Sequence, residues 1–490
     1  MESEGPVSDS PGIPLSYGQR GLWFISQLEG PRSTYNQTLV LKFVGHLDHQ
    51  AMASAVADVT CRHHSLRTVF QEKLGEPYQY VMSLEEADPR LHFFEANSLL
   101  SAGGIVEREA HYFFDLGAEP PIRFTLIRAG SSRIHILLIL IHHIATDGYS
   151  RLPLTRDLAI AYAGRLRGEA PHWTPLAVQY EDYAIRQRET LGVESDNQSL
   201  MCQHLAYWRA QLEGAPDLLQ LPADRSRPPV MSHRGHRLTF GWDETLQSRI
   251  VALAREIRST PFMITHAAVA VLLTRLGSVE DLILGATVAG RPDPALYELI
   301  GFFANAIVLR TNTGGNPTFR ELALRVKETD LAAYEHQEMP FEQIVEHLNP
   351  PRSLGYHPIF QVLLTYLSHV NVPLDFPDLD VELQEPDIGV AKFDLTFTFI
   401  EKRATTDKPT SIGATLHYSS DLFDAGSADA LVRRLLLVLQ SVLAEPDRPI
   451  GAIDIVLPEE KASIIEVWHD IDSQLASARR DIEKHLSTGT

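Results

Sequence analysis

Short apolar runs and amphipathic patterns alternate along the first part of the chain. The segment TLVLKFVG, Thr38–Gly45, is rich in aliphatic and β-branched residues and predicts a strand, and DHQAMASAVADVTCRHH after it predicts a helix. The run IHILLILI, residues 134–141, predicts a buried strand, and RLPLTRDLAIAYAGRL after it has apolar positions at helical spacing. Strands and helices therefore alternate, which indicates a mixed α/β (α+β) fold.

The same mixed pattern returns in the second half. FMITHAAVAVLLTRLG, Phe262–Gly277, predicts a helix that ends at a glycine, and DLILGATVAG predicts the strand after it. Further helices are predicted for TFRELALRVKETDLAAYEHQ and SADALVRRLLLVLQSVLA, and further strands for IFQVLLTYL, FDLTFTFI and GATLHYS.

A polar, charged segment at residues 190–197 separates the two halves and suggests a boundary. Two lobes of similar composition, residues 13–185 and 186–460, are the simplest division. Residues 1–12 are rich in Pro, Gly and Ser and are expected to form a flexible linker. Residues 461–490 have a helical, charged pattern and are expected to form a linker or tail.

Composition narrows the functional class. The 490 residues carry a net charge of −20, which argues against nucleic acid or an anionic membrane surface as the main partner. The cysteines, Cys61 and Cys202, are far apart and form no CxxC spacing, so neither a disulfide framework nor a cysteine metal site is expected. No leader pattern opens the chain, and its aliphatic runs are shorter than the roughly 18 residues of a membrane span. A cytoplasmic protein is expected.

The stretch HHIATDG, residues 142–148, follows the aliphatic run and holds the candidate chemistry. Neighbouring strand residues point to opposite faces, so one of His142 and His143 is expected to be structural and the other available for chemistry. Asp147 and Gly148 lie where a strand gives way to a helix, a place where backbone N–H groups can bind a developing negative charge. A purely structural interpretation stays open, in which both histidines belong to the core and Asp147 is a helix N-cap.

Two other chemistries are less favoured at this stretch. A metal site lacks the carboxylate or cysteine spacing that completes a ligand set. Covalent acyl transfer lacks a serine or cysteine nucleophile in a GxSxG-type setting.

HHIATDG matches the HHxxxDG signature of the condensation domains of nonribosomal peptide synthetases, and the chain resembles this family over nearly its whole length. Six more segments resemble the remaining family motifs, in family order: LSYGQRGLWFI, RHHSLRTVF, YEDYA, IGFFANAIVLR, HQEMPFE and PRSLGYHPIFQV. GATVAGRP, AKFDLTF and LHYSSDLFD are also similar to family segments. Three positions depart from the usual residues: His64 replaces Glu, Tyr149 replaces Trp and Ala304 replaces Val. These departures bear on pocket shape and leave the HHxxxDG residues unchanged.

The resemblance implies two chloramphenicol acetyltransferase-like lobes in a V-shaped pseudo-dimer, with a tunnel between them. It implies His143 as the main catalytic residue, acting as a base or as a positioning group, and Gly148 as the backbone N–H beside the reacting carbonyl. His142 is expected to be structural. Asp147 is expected to pair with an arginine that holds the loop, with Arg291 as the first candidate.

A second candidate partner for Asp147 is Arg62, and three further residues are candidates for the pocket: Tyr149, Asn305 and Gln361. No metal and no intrinsically bound cofactor is implied. The substrates are expected to arrive on the phosphopantetheine arms of donor and acceptor peptidyl carrier proteins.

The implied activity is peptide-bond formation between carrier-bound thioesters, in the biosynthesis of an antibiotic or siderophore. An adjacent adenylation domain is an expected partner, nucleic acid and membrane are not, and the domain by itself is expected to be a monomer. The alternatives are an epimerisation domain of the same superfamily, a non-catalytic recruitment module and a free-standing small-molecule acyltransferase. The intact HHxxxDG and the absence of DxxxxD favour plain amide formation.

Overall fold

The structure is a computed structural model of the chain. It describes residues 12–30, 32–130, 133–277, 279–351, 353–367, 374–403 and 409–463, and a few residues between 465 and 475. The linker predicted at residues 1–12 lies, apart from Gly12, outside the described residues, as does most of the tail predicted at residues 461–490.

Fourteen strands lie within the described residues, and the strands predicted from apolar runs are among them. The strand predicted at Thr38–Gly45 is confirmed as Asn36–Gly45, and the buried run at residues 134–141 is confirmed as Ile134–His142. The strands are β1 (Ile13–Pro14), β2 (Asn36–Gly45), β3 (Thr68–Lys73), β4 (Glu76–Val81), β5 (Leu91–Ala96), β6 (Ile122–Ala129), β7 (Ile134–His142), β8 (Gly235–Trp242), β9 (Asp281–Val288), β10 (Asn305–Asn312), β11 (Val362–Leu367), β12 (Leu379–Gln384), β13 (Leu395–Arg403) and β14 (Pro409–Ser419).

Twelve α-helices accompany them in the described part of the chain, and several begin at side-chain caps. Thr318, for example, accepts a hydrogen bond from the N–H of Glu321, whose carboxylate accepts one from the Thr318 N–H. The helices are α1 (Tyr17–Glu29), α2 (His49–Arg62), α3 (Leu84–Ala87), α4 (Leu99–Ala110), α5 (Arg151–Leu166), α6 (Tyr180–Leu191), α7 (Leu200–Gln211), α8 (Glu244–Glu256), α9 (Pro261–Gly277), α10 (Phe319–Glu335), α11 (Phe341–Leu348) and α12 (Ala425–Ala444).

The N-terminal sheet has the strand order β12-β2-β7-β6-β5, and β7 is its central strand. One face of β7, with Leu137 and Ile139, packs in the same core as α2 and α5. The other face, with Ile136 and Leu138, packs in the core that includes α4. Both faces of the strand are covered, which explains its unbroken aliphatic sequence.

One strand of the N-terminal sheet comes from the second half of the chain. β12 pairs antiparallel with β2, in a register that places Leu379 opposite Gly45. A strand from the predicted lobe 186–460 therefore completes a sheet of the predicted lobe 13–185, which the linear division did not anticipate. A strand's place in a sheet depends on pairing between distant parts of the chain, and local periodicity carries no signal for it.

The C-terminal sheet has the order β10-β9-β11-β13-β14-β8, with β11 parallel to β9 and β13. The apolar helix α9 shares one core with this sheet and with α8, α10 and α12. A three-stranded sheet, β1-β4-β3, completes the strands. The mixed helix-and-sheet fold class predicted from the sequence is confirmed.

Residues 300–303, just before β10, connect the N-terminal half of the chain to the C-terminal sheet. The hydroxyl of Ser65 donates to the carbonyl of Ile300 at 2.7 Å, and the hydroxyl of Tyr180 donates to the carbonyl of Phe302 at 2.6 Å. This segment belongs to the predicted IGFFANAIVLR motif, and it is where the candidate site is assembled.

In the described chain, no single helix has both the length and the apolar character needed to cross a membrane. α8 and α9 meet that criterion only when taken together, and they are bent by 104° at the break between them.

Candidate active site

The two adjacent histidines are separated by the end of β7. His142 is the last strand residue, pairs with Asn36 of β2 and is 5% exposed. His143 opens a 3₁₀ turn, His143–Ala145, and its N–H donates to the carbonyl of Tyr35 at 2.8 Å. Strand alternation alone was the expected reason for their separation, whereas in the structure the strand stops between them.

His142 belongs to the scaffold. Its Nδ1 accepts a hydrogen bond from the N–H of Ile144 at 3.2 Å, which supports the 3₁₀ turn. Its ring lies between the rings of Tyr35 and Phe114, at centroid distances of 6.3 and 6.4 Å. Burial lowers the pKa of His142 to about 3, so the ring is neutral at physiological pH.

His143 is half-buried, and its tautomer follows from its hydrogen bond. Nδ1 lies 2.7 Å from the carbonyl oxygen of Thr146. A carbonyl oxygen only accepts, so Nδ1 carries the proton and Nε2 carries the lone pair. Burial, with a contribution from the positive charge of Lys392, lowers the pKa of His143 to about 3. The site thus holds a neutral imidazole whose Nε2 can accept a hydrogen bond from a substrate.

Asp147 ties the loop to the C-terminal half of the chain. Its Oδ1 accepts from the N–H and the hydroxyl of Ser150 at 2.8 and 2.7 Å. Its Oδ2 accepts from the N–H groups of Phe303 and Ala304 at 3.1 and 3.2 Å. The carboxylate is 2% exposed, so it holds the loop in place and does not face a substrate.

The arginine that pairs with Asp147 is Arg291, the first candidate from the sequence. Nη2 of Arg291 donates to both carboxylate oxygens, at 3.1 and 3.3 Å. The guanidinium also donates to the carbonyl oxygens of Leu296 and Leu299, and it lies 3.9 Å from the centroid of the Phe303 ring. This buried cation is therefore paired and hydrogen-bonded.

The second candidate, Arg62, is wrong as a partner of Asp147. Its Nε donates to Asp157 Oδ2 at 2.8 Å, and its Nη1 donates to the carbonyl of Thr174. Arg62 ends α2 and Asp157 lies on the neighbouring α5, so packing between these two helices decides the pair.

Asp147, Arg291 and Ser150 together form a clamp that holds the loop. Ser150 was missed from the sequence. Its hydroxyl donates to Asp147, accepts from the N–H of Gly301 at 3.1 Å and lies 3.0 Å from Arg291 Nη2. The available signal was its place as the N-cap residue of α5, directly after Asp-Gly-Tyr. The N-cap of α5 is thus Ser150, and not Asp147 as in the purely structural interpretation.

Gly148 is exposed beside this clamp. A Cβ built on it would meet no atom within 4 Å, and among the described residues none accepts a hydrogen bond from its N–H. The backbone at Gly148 is therefore open to an approaching group.

The three candidate pocket residues have different surroundings. Asn305 lines a cavity of about 510 Å³, and its amide donates to the carbonyls of Gln337 and Met339. Tyr149 is half-buried, with the Arg291 guanidinium 4.8 Å from its ring centroid.

Gln361 does not line this cavity. It is 1% exposed, and its amide bonds to the backbone of Asp217, Leu219 and His357, so it is a scaffold residue. The interpretation of Gln361 as a pocket residue is corrected, because its amide hydrogen-bonds to loop backbone, part of which is distant in sequence.

Phe302 lies between the cavity and His143. It is one of the cavity's lining residues, and its ring centroid is 4.7 Å from that of His143. The same cavity is lined by Arg291, Tyr183 and Glu342. Burial raises the pKa of Glu342 to about 7, so this wall carries a carboxyl that is partly protonated at neutral pH.

In the described chain, no group of three or more His, Cys, Asp or Glu residues is arranged to hold a metal ion.

Comparison with known proteins gives similarities over nearly the full length. A family model described as a condensation domain matches residues 11–465. A dimodular nonribosomal peptide synthase of Bacillus subtilis (strain 168) is 44% identical over 95% of this chain, and an isonitrile lipopeptide synthase of Mycobacterium tuberculosis is 41% identical over 93%. The chain spans 20% and 18% of these two relatives, respectively.

Among solved structures, the X-domain from teicoplanin biosynthesis aligns with a TM-score of 0.85 and 31% identity, covering 92% of this chain and 99% of that one. The same domain in the complex of the X-domain and OxyB aligns with a TM-score of 0.84 and 32% identity, covering 93% and 99%. A four-domain nonribosomal peptide synthetase shares the fold at 23% identity, with a TM-score of 0.80 over 92% of this chain and 34% of that one.

Proposed function

The chain belongs to the condensation-domain family of nonribosomal peptide synthetases, and on this premise we propose that it forms a peptide bond between two carrier-bound substrates. The resemblance inferred from the motifs is confirmed, as is the chloramphenicol acetyltransferase-like fold. The amine of an acceptor aminoacyl thioester attacks the carbonyl of a donor aminoacyl or peptidyl thioester. The nitrogen–carbon bond forms, the carbon–sulfur bond breaks, and the proton lost by the amine passes to the departing thiolate.

The observation that carries this proposal is the neutral His143 imidazole, whose Nδ1 is committed to Thr146 and whose Nε2 holds a lone pair. An uncharged amine can donate a hydrogen bond to Nε2, which would orient its own lone pair for attack. Because the pKa of His143 lies near 3, the imidazole is a weak proton acceptor at pH 7. Positioning of the amine is therefore its main role in the proposed mechanism.

The clamp and the open glycine have separate roles in this proposal. Asp147 and Arg291 hold the loop, so that the ring of His143 keeps its orientation. The exposed N–H of Gly148 offers a hydrogen bond to the carbonyl oxygen of the donor as that oxygen gains negative charge.

Condensation domains act together with carrier and adenylation domains in nonribosomal peptide synthetases. For this chain we propose two peptidyl carrier proteins that present phosphopantetheine thioesters, and an adenylation domain in the same assembly. A cytoplasmic location, a monomeric state as a single domain and a role in antibiotic or siderophore biosynthesis belong to the same proposal.

A recruitment role is the second candidate. It is favoured by the likeness to the X-domain, which was solved in complex with OxyB and is 32% identical to this chain. The HHxxxDG motif with its neutral histidine and formed clamp supports catalysis instead, because a recruitment surface does not require an oriented imidazole.

The test is amide formation between two loaded carrier proteins, followed by the mass of the tethered product. Donor and acceptor panels would cover small, aromatic, acidic and basic side chains. The wild-type chain should form the dipeptide on the acceptor arm, and His143→Ala should lower the rate about 10²-fold or more. His111→Ala, which removes an exposed histidine, is the matched control and should keep the wild-type rate.

No dipeptide from any pair would contradict the proposal and favour recruitment. Near-normal turnover by folded His143→Ala would remove His143 from the reaction. Inversion of an aminoacyl group on a single carrier, detected by chiral analysis, would instead identify an epimerisation domain.

A further inference from the structure

Lys392 lies close to the candidate active site. It lies shortly before β13, and its Nζ is 4.7 Å from the centroid of the Tyr35 ring, which precedes β2 in the N-terminal sheet. The carbonyl of Tyr35 accepts the hydrogen bond from the His143 N–H at 2.8 Å. Lys392 is thus held against the residue whose carbonyl anchors His143.

The Lys392 charge acts on both histidines. It is one of the causes that lower the pKa of His142 and, after burial, the leading cause that lowers the pKa of His143. The ammonium is therefore close enough to destabilise an imidazolium at either position. Lys392 is not part of the clamp of Asp147, Arg291 and Ser150, in which Arg291 already has Asp147 as its carboxylate partner.

Within the described residues, no carboxylate lies within ion-pair distance of Lys392, and the neighbouring carboxylate, Asp394, is used by Arg227 at 2.8 Å. Burial lowers the pKa of Lys392 itself to about 8, so the side chain is still mostly charged at pH 7. Burying part of a cation without a counter-ion is costly, and its retention near His143 points to an anion that is present only during function.

Packing against an aromatic ring explains part of this arrangement. A cation over the face of the Tyr35 ring is attracted by the negative electrostatic potential of that face. Lys392 and His143 are, however, both only half-buried, so neither is closed off from solvent. A ligand that reaches both residues would meet a neutral hydrogen-bond acceptor and a positive charge together.

We propose that Lys392 is a second functional residue of this reaction, whose ammonium stabilises the negative charge on the donor carbonyl oxygen while the acceptor amine attacks. The inference rests on the proposed peptide-bond formation. As the nitrogen–carbon bond forms, the carbonyl π electrons move to oxygen, next to Lys392. They return when the carbon–sulfur bond breaks, and the amine proton goes to the thiolate sulfur. Charge that appears only in the transition state is the kind that a fixed cation stabilises selectively.

The same charge has a second effect on the acceptor. A positive charge that acts on the His143 imidazole also disfavours a protonated, positively charged amine bound to that imidazole. It thereby favours the neutral amine, which is the nucleophilic form. Lys392 would thus act on the donor carbonyl oxygen and His143 on the acceptor amine nitrogen in the same step.

The test uses single-turnover amide formation by the full chain with both carriers loaded and the donor and acceptor aminoacyl groups that the wild-type chain couples. Lys392→Met keeps the length of the side chain without its charge, and we expect the rate constant to fall about 10²-fold. Lys392→Arg, which restores a cation, should recover at least about a tenth of the wild-type rate. Lys327→Met is the matched control, because Lys327 is also partly exposed but bonds to the Ile257 carbonyl, and it should leave the rate unchanged.

A second readout separates charge from packing. In an NMR titration, His143 should become easier to protonate in Lys392→Met than in the wild type or in Lys392→Arg, because the nearby positive charge is gone. Lys392→Gln is a second neutral variant with a polar end, to be used if thermal unfolding shows that the methionine variant does not fold.

The outcomes distinguish the two proposals. If the neutral Lys392 variants react within about threefold of the wild type while His143→Ala is impaired, the role of Lys392 is overturned and the proposed function stands. If Lys392→Arg is as slow as the neutral variants and the His143 titration is unchanged, the effect is structural and the inference is again overturned. If His143→Ala and Lys392→Met both react normally, the roles of both residues are overturned while peptide-bond formation stands. If the wild-type chain forms no dipeptide from any pair, both proposals fail.

Discussion

Arg291 donates from Nη2 to both carboxylate oxygens of Asp147, at 3.1 and 3.3 Å, and so joins two segments that are 144 residues apart in the chain. Both side chains are at most 1% exposed. Burial of such a pair carries a desolvation penalty, because both charges leave water. Removal of one partner destabilises the fold even more, because the other charge stays buried and unpaired. The position of the HHxxxDG loop therefore depends on a contact between the two halves of the chain.

Removal of one partner from this pair should destabilise the fold strongly. Asp147→Leu leaves Arg291 buried without a counter-charge, and we expect a loss of about 3–5 kcal/mol in the free energy of unfolding. Urea denaturation of the variant and the wild type measures this loss.

The control for this prediction is Arg186→Met, which breaks an exposed pair with Asp293 and should cost less than about 1 kcal/mol. The double variant Asp147→Leu with Arg291→Met should be less destabilised than the sum of the two single variants. Strict additivity would show that the two charges are not coupled.

Gly290, directly before Arg291, should tolerate no side chain. Its φ is +63°, and a Cβ would lie 1.8 Å from the carbonyl oxygen of Phe303. We expect Gly290→Ala to cost about 3 kcal/mol or more, because backbone strain and a clash with main-chain atoms add together.

Gly75→Ala isolates the backbone part of this cost. Gly75 has a φ of +86° but no neighbour within 4 Å, so about 1–2 kcal/mol is expected for its substitution. Equal losses for the two variants, measured by thermal unfolding, would argue against the clash with Phe303.

The lowered pKa of His142, about 3, predicts an acid-sensitive fold. In the folded state the ring stays neutral, whereas in the unfolded chain it binds a proton below about pH 6.5. The unfolded state then binds more protons, so stability should fall as the pH drops from 6.5 toward 3, by up to about 1.4 kcal/mol per pH unit for this group. His143 should act in the same direction.

His142→Asn keeps an acceptor for the Ile144 N–H and removes the titrating ring. Between pH 6 and pH 4, its unfolding free energy should depend less steeply on pH than that of the wild type, by about 1 kcal/mol per unit. His111→Asn, at an exposed position, should leave the slope as it is. An unchanged slope for His142→Asn would contradict a neutral, buried His142.

The raised pKa of Glu342 predicts the opposite pH dependence of the unfolding free energy. Its pKa is raised to about 7 by burial, and it packs so closely on α1 that a Cβ on Gly21 would lie 2.3 Å from its Cγ. The folded state keeps the proton that the unfolded chain loses above about pH 4.5, so this stabilisation should decline as the pH rises from 4.5 through 7.

Glu342→Gln should therefore stabilise the chain relative to the wild type at pH 8, by at most about 3 kcal/mol, and have little effect at pH 5. The control is Glu346→Gln on the same helix, which removes an exposed carboxylate and should show no such trend. If Glu342→Gln has the same effect at both pH values, the raised pKa is wrong.

Much of the fold was predictable because its elements are encoded locally. The aliphatic run at residues 134–141 is a strand covered on both faces, and Phe262–Gly277 is a helix with one further residue at its start. The family could also be identified from the sequence, because short motifs such as HHIATDG lie at fixed positions along the chain and need no tertiary contact to be recognised.

Other features required the tertiary structure. Lys392 stood in a segment similar to the family, yet no local signal indicated that it meets Tyr35. Ser150 was not singled out from the sequence, and the place of β12 in the N-terminal sheet had no signal in the periodicity of its own residues.

The sequence by itself determined the elements, the family and the candidate histidines, since side-chain spacing along a strand or helix decides which face is apolar. Only the tertiary structure decided which charges pair, with Asp147 bound to Arg291 and Arg62 bound to Asp157. Two arginines that are equivalent as isolated residues are distinguished by the packing of helices and sheets around them. That packing sums contacts over the whole chain, so no short segment contains the answer.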